Sequence, residues 1–101
     1  MFLNKVADKV VFSFLDKINY GFLEIDTFYG QKLSFGNPKD NLRANIKIRK
    51  PNFNFNLIIG GSIALAESYM RGEFETDNLS NLIEVTARNI KIIHKLSLIH
   101  I

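Results

Sequence analysis

The sequence predicts a small α+β domain, in which helices pack against a sheet of a few strands. Three observations point to this class. Apolar residues recur at three-and-four spacing up to Ile18, they alternate with polar residues from Leu23 to Ile48, and the helical spacing returns after Pro51. A chain of 101 residues has room for one hydrophobic core. We therefore expect one domain with helices at both ends.

The first element is predicted to be an amphipathic helix. Its apolar positions share one side, and they are Leu3, Val6, Ala7, Val10, Val11, Phe14, Leu15 and Ile18. Charged residues such as Lys5, Asp8 and Asp16 fill the opposite side. Phe12 departs from the pattern because it falls among these polar positions, and we interpret it as a single exposed aromatic side chain.

Three strands are predicted next, the first two of them in a hairpin. Tyr29-Gly30 supplies the turn of the hairpin, the polar stretch 36–41 forms a loop, and Pro51 ends the third strand. The apolar positions that alternate along the strands are Leu23, Ile25 and Thr27, then Leu33 and Phe35, and finally Ala44, Ile46 and Ile48. One face of the sheet is therefore expected to be buried.

A glycine pair divides the next apolar segment. Gly60-Gly61 is expected to stop a first helix, and Ser62 to cap a second helix that runs to Met70. A Gly-Gly-Ser stretch before a helix can also bind phosphate, but this one lacks a following lysine. We therefore favour the helix break.

A short strand at 74–76 and a last helix complete the predicted elements. Asp77 is expected to cap this helix. Its apolar stripe consists of Leu79, Leu82, Ile83, Thr86, Ile90 and Ile93. The sequence thus predicts one continuous helix to the end of the domain.

Composition and charge exclude some classes of protein. The longest apolar run, Leu57 to Ala66, is about half of the ~20 residues that a helix needs to cross a bilayer. The start of the chain lacks the pattern of a signal peptide, and the absence of cysteine excludes disulfides. A net charge of +3 permits an anionic partner without demanding one.

The segment from Pro51 to Asn89 carries a series of short motifs. Pro51 and an aromatic residue precede a leucine-rich stretch, Gly60-Gly61-Ser62 follows, and Glu67, Tyr69, Met70 and Gly72 then lead to Ala87-Arg88-Asn89. This order resembles the N-terminal region of cyclopropane-fatty-acyl-phospholipid synthases and related S-adenosylmethionine-dependent methyltransferases. Ala64 and Ala66 depart from it, because they stand where that family usually has glycine.

The resemblance implies a sterol-carrier-protein-like α+β fold and a non-catalytic role. Residues 1–95 would be the N-terminal accessory domain, which docks the enzyme on membrane phospholipid at the cytoplasmic, inner face of the membrane and supports the missing catalytic domain. No glycine-rich cofactor loop follows Gly72 in this chain. The resemblance therefore implies that S-adenosylmethionine binds in the missing domain. We expect no catalytic, cofactor-binding or metal-binding residue in this chain. A free-standing, sterol-carrier-like lipid-binding domain is the alternative.

The partners implied are a phospholipid surface, the chain's own missing catalytic domain and a second copy in a homodimer. Nucleic acid is not expected, because acidic residues are interspersed with the basic ones and no aromatic RNA-binding motif is present. The acidic residues Glu67, Glu73, Glu75 and Asp77 have no nearby histidine and no recognised ligand spacing, so we interpret them as structural.

The last six residues, Leu96 to Ile101, match the translation of an adapter used in transposase-based sequencing libraries. We interpret residues 96–101 as a translated sequencing adapter and leave them out of the fold prediction. The natural reading frame is then expected to continue into the catalytic domain.

Basic and aromatic residues around the third strand are the candidate membrane contacts. They are Arg43, Lys47, Arg49, Lys50, Phe53 and Phe55. Basic side chains attract anionic headgroups, and aromatic rings favour the membrane interface. A solvated strand face that discourages edge pairing is the competing interpretation. Both interpretations place Lys47 and Arg49 on one exposed face.

Overall fold

Four helices and four strands make up the part of the chain that this computed structural model describes, residues 2–98. The helices are α1 (Phe2–Leu15), α2 (Phe53–Met70), α3 (Leu79–Arg88) and α4 (Ile90–Leu98). The strands are β1 (Phe22–Asp26), β2 (Lys32–Gly36), β3 (Arg43–Ile48) and β4 (Phe74–Glu75). The predicted α+β class is confirmed, whereas a specifically sterol-carrier-like arrangement stays a prediction.

The four strands form one mixed sheet in the order β2-β1-β3-β4. β1 is antiparallel to β2, with Leu23 opposite Phe35, and parallel to β3, with Ile25 opposite Ile46. This confirms the predicted hairpin. The alternating apolar residues of the strands lie on one face, where the helices cover them and the core forms. Mostly polar residues occupy the other face, where Phe22 is the apolar exception in β1.

A loop across the amino end of β1 places β3 beside it. The N–H of Asn37 donates to Gly21 O at 3.1 Å, and the N–H of Phe22 donates to Leu42 O at 2.9 Å. The Asp40 carboxylate accepts from the N–H groups of Gly21 and Leu42, both at 2.9 Å. The bonds from Leu42 and Gly21 hold the pKa of Asp40 below its usual range. The Asp40 carboxylate thus stabilises this crossing together with the two backbone hydrogen bonds.

We expect the Asp40 bonds to make the fold sensitive to acid. Because the pKa is lower in the folded chain, the carboxylate stabilises the fold above the unfolded value of about 3.9. This stabilisation is lost as the pH falls through the folded pKa. Asp40→Asn should flatten the decline of the unfolding free energy below about pH 4, measured by urea denaturation. The exposed Asp16, substituted by asparagine, is the control, and equal flattening in both variants would contradict the assignment.

Helix α2 breaks where the glycine pair was predicted to break it. Gly61 has φ 59° and ψ −139°, a conformation open essentially to glycine alone. Two helical segments therefore meet at an angle within α2, and the predicted break is confirmed. The side chain of Ser62 lies outside the described residues, so its predicted role as a cap stays a prediction.

The prediction of one continuous last helix is wrong. α3 ends at Arg88 and α4 begins at Ile90, with Asn89 between them. The buried side chain of Asn89 binds the backbone before β1, which fixes a turn there and lets α4 pack against α1 and α2. The cap of α3 is Asn78, which accepts from Asn81 N–H, and not Asp77.

The predicted buried side of the first helix is confirmed at Ala7, Val11 and Ile18, but the packed surface of α1 also includes Phe12. The ring of Phe12 stacks on Phe35 with centroids 5.9 Å apart, so the prediction that it is exposed is wrong. Asp8, on the same side, accepts a hydrogen bond from Asn54 Nδ2 at 2.9 Å. Leu3, assigned to the buried stripe, is instead 54% exposed. Asp8 and Phe12 thus lie on the packed side of α1, where the apolar spacing did not place them.

The predicted adapter segment continues α4 as far as Leu98, and residues 99–101 lie outside the described part. Its predicted origin stays a prediction. Among the helices within residues 2–98, none is long and apolar enough to cross a membrane.

Candidate functional site

The basic residues predicted to contact lipid lie on the polar face of the sheet, among acids. Arg49 Nη2 donates to Glu75 Oε2 at 2.6 Å. Lys47 lies between two acidic positions, with Asp26 as its partner in β1 and Glu75 as its partner in β4. Lys47 and Arg49 are both exposed, as predicted. The acids reduce the positive field that would attract an anionic surface.

Arg43 is engaged by neighbouring residues, whereas Lys50 is exposed. The guanidinium of Arg43 lies over the ring of Phe22 at 4.4 Å, and its Nη1 donates to Pro38 O at 2.6 Å. Arg43 therefore shields an aromatic side chain on the outer face of β1. Lys50 is exposed beyond the end of β3.

Of the two aromatic residues in the predicted membrane edge, Phe53 is buried and Phe55 is partly exposed. Phe53 is 3% exposed, and its ring meets that of Phe74 edge-on with centroids 5.2 Å apart. The prediction that Phe53 contacts lipid is therefore wrong, because the first turn of α2 packs this ring into the core. Phe55 is half-buried on the same helix. The six predicted residues do not form one continuous membrane-facing surface.

An apolar groove opens on another part of the molecule, between α2, β4, α3 and the start of α4. Its volume is about 420 Å³. One wall consists of Leu65, Ala66, Tyr69, Met70 and Phe74. The other consists of Leu79, Leu82, Ile83, Thr86, Ala87 and Ile90. This volume lies within the range of small-molecule sites, about 300–1,000 Å³.

The groove exists because both helices carry more apolar residues than the core uses. On α3, Leu82 and Val85 are buried in the core, whereas the side chain of Ile83 is 58% exposed. Met70, at the end of α2, is 76% exposed at the opposite rim. Ala66 and Ala87 leave space between the walls that larger side chains would fill.

The lining offers almost no hydrogen bonding to a ligand. The Thr86 hydroxyl donates to Leu82 O at 2.9 Å within α3. The remaining lining side chains are hydrocarbon, thioether or aromatic, with the Tyr69 hydroxyl as the other polar atom. A peptide backbone would lose its hydrogen bonds to water in such a place, whereas a hydrocarbon chain would not.

A basic depression adjoins the groove at Ile90, which lines both. The depression has a volume of about 380 Å³, and Asn19, Arg88 and Lys91 contribute to its lining. Arg88 is paired with Glu84 at 2.6 Å on the surface of α3. The apolar groove and the basic depression thus adjoin at Ile90.

Three of the four acidic residues predicted to be structural make contacts with neighbouring side chains, and the fourth, Glu67, is exposed. Arg71 donates to both carboxylate oxygens of Glu73 at 3.2 Å, and this bond lowers the pKa of Glu73. Glu75 is paired with Arg49, and Asp77 accepts from Asn45 at 3.3 Å. Within residues 2–98, no three acidic or histidine side chains come together in a way that would hold a metal ion.

Compared with protein-family models, with curated proteins and with solved structures, the chain shows no match in any of the three. The resemblance of the segment 51–89 to cyclopropane-fatty-acyl-phospholipid synthases therefore stays a prediction. The fold and the geometry of the groove are the basis for the proposal that follows.

Proposed function

We propose that this chain is a non-catalytic lipid-binding domain, which holds one acyl chain of an anionic phospholipid in the groove. The observation that carries the proposal is the junction at Ile90 between an apolar groove and a basic depression. The apolar groove suits an acyl chain, and the basic depression suits an anionic headgroup. Lys91 supplies most of the positive charge, because Arg88 is paired with Glu84.

The exposed rim supports a membrane as the source of the lipid. Ile83 and Met70 project large apolar side chains into solvent on either side of the groove. Exposed apolar groups of this kind mark surfaces that contact a membrane, a ligand or another protein. With the rim at the bilayer surface, an acyl chain would pass into the groove without crossing water.

In the setting that the sequence resemblance implies, the domain would act at the cytoplasmic face of a membrane. It would present a phospholipid to a separate catalytic domain, and S-adenosylmethionine would bind in that domain. The basic strand face around Lys47 has a lesser role in this proposal, because Asp26 and Glu75 flank it. Docking would depend mainly on the groove and its rim.

We expect Ile83→Asp to weaken binding to phosphatidylglycerol vesicles at least tenfold. The substitution removes apolar contact at the rim and places a carboxylate beside the acyl chain, and about 1.4 kcal/mol suffices for a tenfold loss. Vesicle co-sedimentation measures the binding. Leu3→Asp is the matched control, since Leu3 is 54% exposed, close to the 58% of Ile83, but does not line the groove.

Equal losses in the two variants would contradict the proposal, as would failure of the wild-type chain to bind vesicles. A protein occupant of the groove would appear differently. In that case the purified chain would form a dimer at high concentration, measured by light scattering, and Ile83→Asp would dissociate it. Circular dichroism checks that both variants are folded.

A further inference from the structure

A second, smaller space of about 60 Å³ lies beside the groove, between the helices and the sheet. Core residues such as Val11, Leu23, Ile46 and Phe53 line it. Leu65, Leu82 and Thr86 line both this inner space and the groove. These three side chains are therefore the partition between an open apolar site and the hydrophobic core.

We propose that Leu65, with Leu82 behind it, closes the acyl-chain site on the side of the core and sets the length of chain that the domain accepts. The inference rests on the proposed function. Leu82 is buried and contributes to the core, whereas Leu65 is half-buried and packs against the core from the groove side. Leu65 is therefore the part of the partition that a substitution can open with the least damage to the fold.

The size of the inner space sets the expected effect. Its volume of about 60 Å³ is several times the roughly 10–15 Å³ that one water molecule needs, so it has room for at least two methylene groups. Its lining is almost entirely apolar, with Asn89 and Thr86 engaged in hydrogen bonds of their own. Methylene groups would enter it more favourably than water. Each additional buried methylene, at about 0.8 kcal/mol, raises the affinity roughly fourfold.

The test is the chain-length profile of fatty-acid binding, measured by displacement of 1-anilinonaphthalene-8-sulfonate with saturated acids from octanoate to stearate. In the wild-type chain the affinity should rise with length and then level off. Leu65→Ala should move the levelling point by at least two methylenes, about 16-fold in affinity for the longer acids. Leu65→Phe should move it to shorter acids.

Leu79→Ala is the matched control, because Leu79 is also half-buried in the groove but does not line the inner space. It should lower the affinity for all acids alike and leave the levelling point where it is. An unchanged levelling point in both Leu65 variants, while the wild type binds, would overturn the role of Leu65 alone. A wild-type chain that binds none of the acids would overturn the proposed function as well. Circular dichroism identifies any variant that does not fold. If one of the two Leu65 variants is unfolded, the levelling point of the other one tests the proposal.

Discussion

Gly36→Ala should destabilise the fold by about 4 kcal/mol or more, close to the upper end for single substitutions. Gly36 ends β2 with φ +90°, in the left-handed region that favours glycine. A Cβ atom at this position would lie 2.2 Å from the carbonyl oxygen of Gly21, a backbone atom with little freedom to move. The chain would have to open where β2 leaves the sheet and crosses the start of β1. Thermal and urea unfolding measure the loss.

Gly30 provides the control, because its φ of +87° is nearly the same and nothing lies within 4 Å of an added Cβ. Gly30→Ala should therefore show the backbone strain alone, about 1–2 kcal/mol. The difference between the two variants isolates the steric effect of the crossing. Equal losses would mean that the approach of Gly36 to Gly21 does not constrain the fold.

The strands could be predicted because the alternation of apolar residues is local and the sheet has one buried face. Leu23, Ile25, Ala44, Ile46 and Ile48 were all assigned to that face, and all are buried. The position of β3 was not predicted. It depends on hydrogen bonds of the loop with Gly21 and Leu42, and an Asp in a polar loop gives no sign of which N–H groups it will bind.

The helices were less predictable where polar side chains are buried. The hydrogen bond between Asp8 and Asn54 lies on a side of α1 that the apolar spacing assigned to solvent. The hydrogen bonds of Asn89 with the backbone lie where α3 ends, although the apolar spacing continues. A hydrophobic pattern treats such residues as solvent-facing, because buried polar groups are uncommon unless they are bonded. Phe12 was misplaced for the same reason, since it shares its face with Asp8.

The acids beside the candidate membrane edge were not predicted, because charge was considered along the sequence and not across the sheet. Lys47 and Arg49 do share an exposed face, as predicted, but Asp26 and Glu75 come beside them from neighbouring strands. The groove was missed because its walls come from different helices. The sequence features that could have indicated the groove are two large apolar residues outside the core, Ile83 on α3 and Met70 on α2. The small residues Ala66 and Ala87 between them are the other indication.

The junction between α3 and α4 depends on one side chain, and Asn89→Ala should lower the unfolding free energy by about 3 kcal/mol. Asn89 is 4% exposed. Its Oδ1 accepts from Asn19 N–H at 3.0 Å and Tyr20 N–H at 3.3 Å. Its Nδ2 donates to Tyr20 O at 2.9 Å and Val85 O at 2.8 Å. Each bond contributes about 0.5–1.5 kcal/mol net, and polar groups left unpaired add to the loss.

A change of about 3 kcal/mol lowers the melting temperature of a domain this size by roughly 12–24 °C, well beyond the error of a thermal scan. Asn41→Ala, at an exposed position of the loop before β3, is the control and should change it little. Asn89→Asp keeps the accepting oxygen but replaces the Nδ2 group, with its two donated hydrogen bonds, by a second oxygen, and it places a negative charge against the carbonyl oxygens of Tyr20 and Val85. It should therefore destabilise the fold at least as much as alanine at neutral pH and less in acid, where the carboxyl is protonated and donates again. A variant with aspartate that melts like the wild type at neutral pH would show that the two donated bonds do not hold the junction.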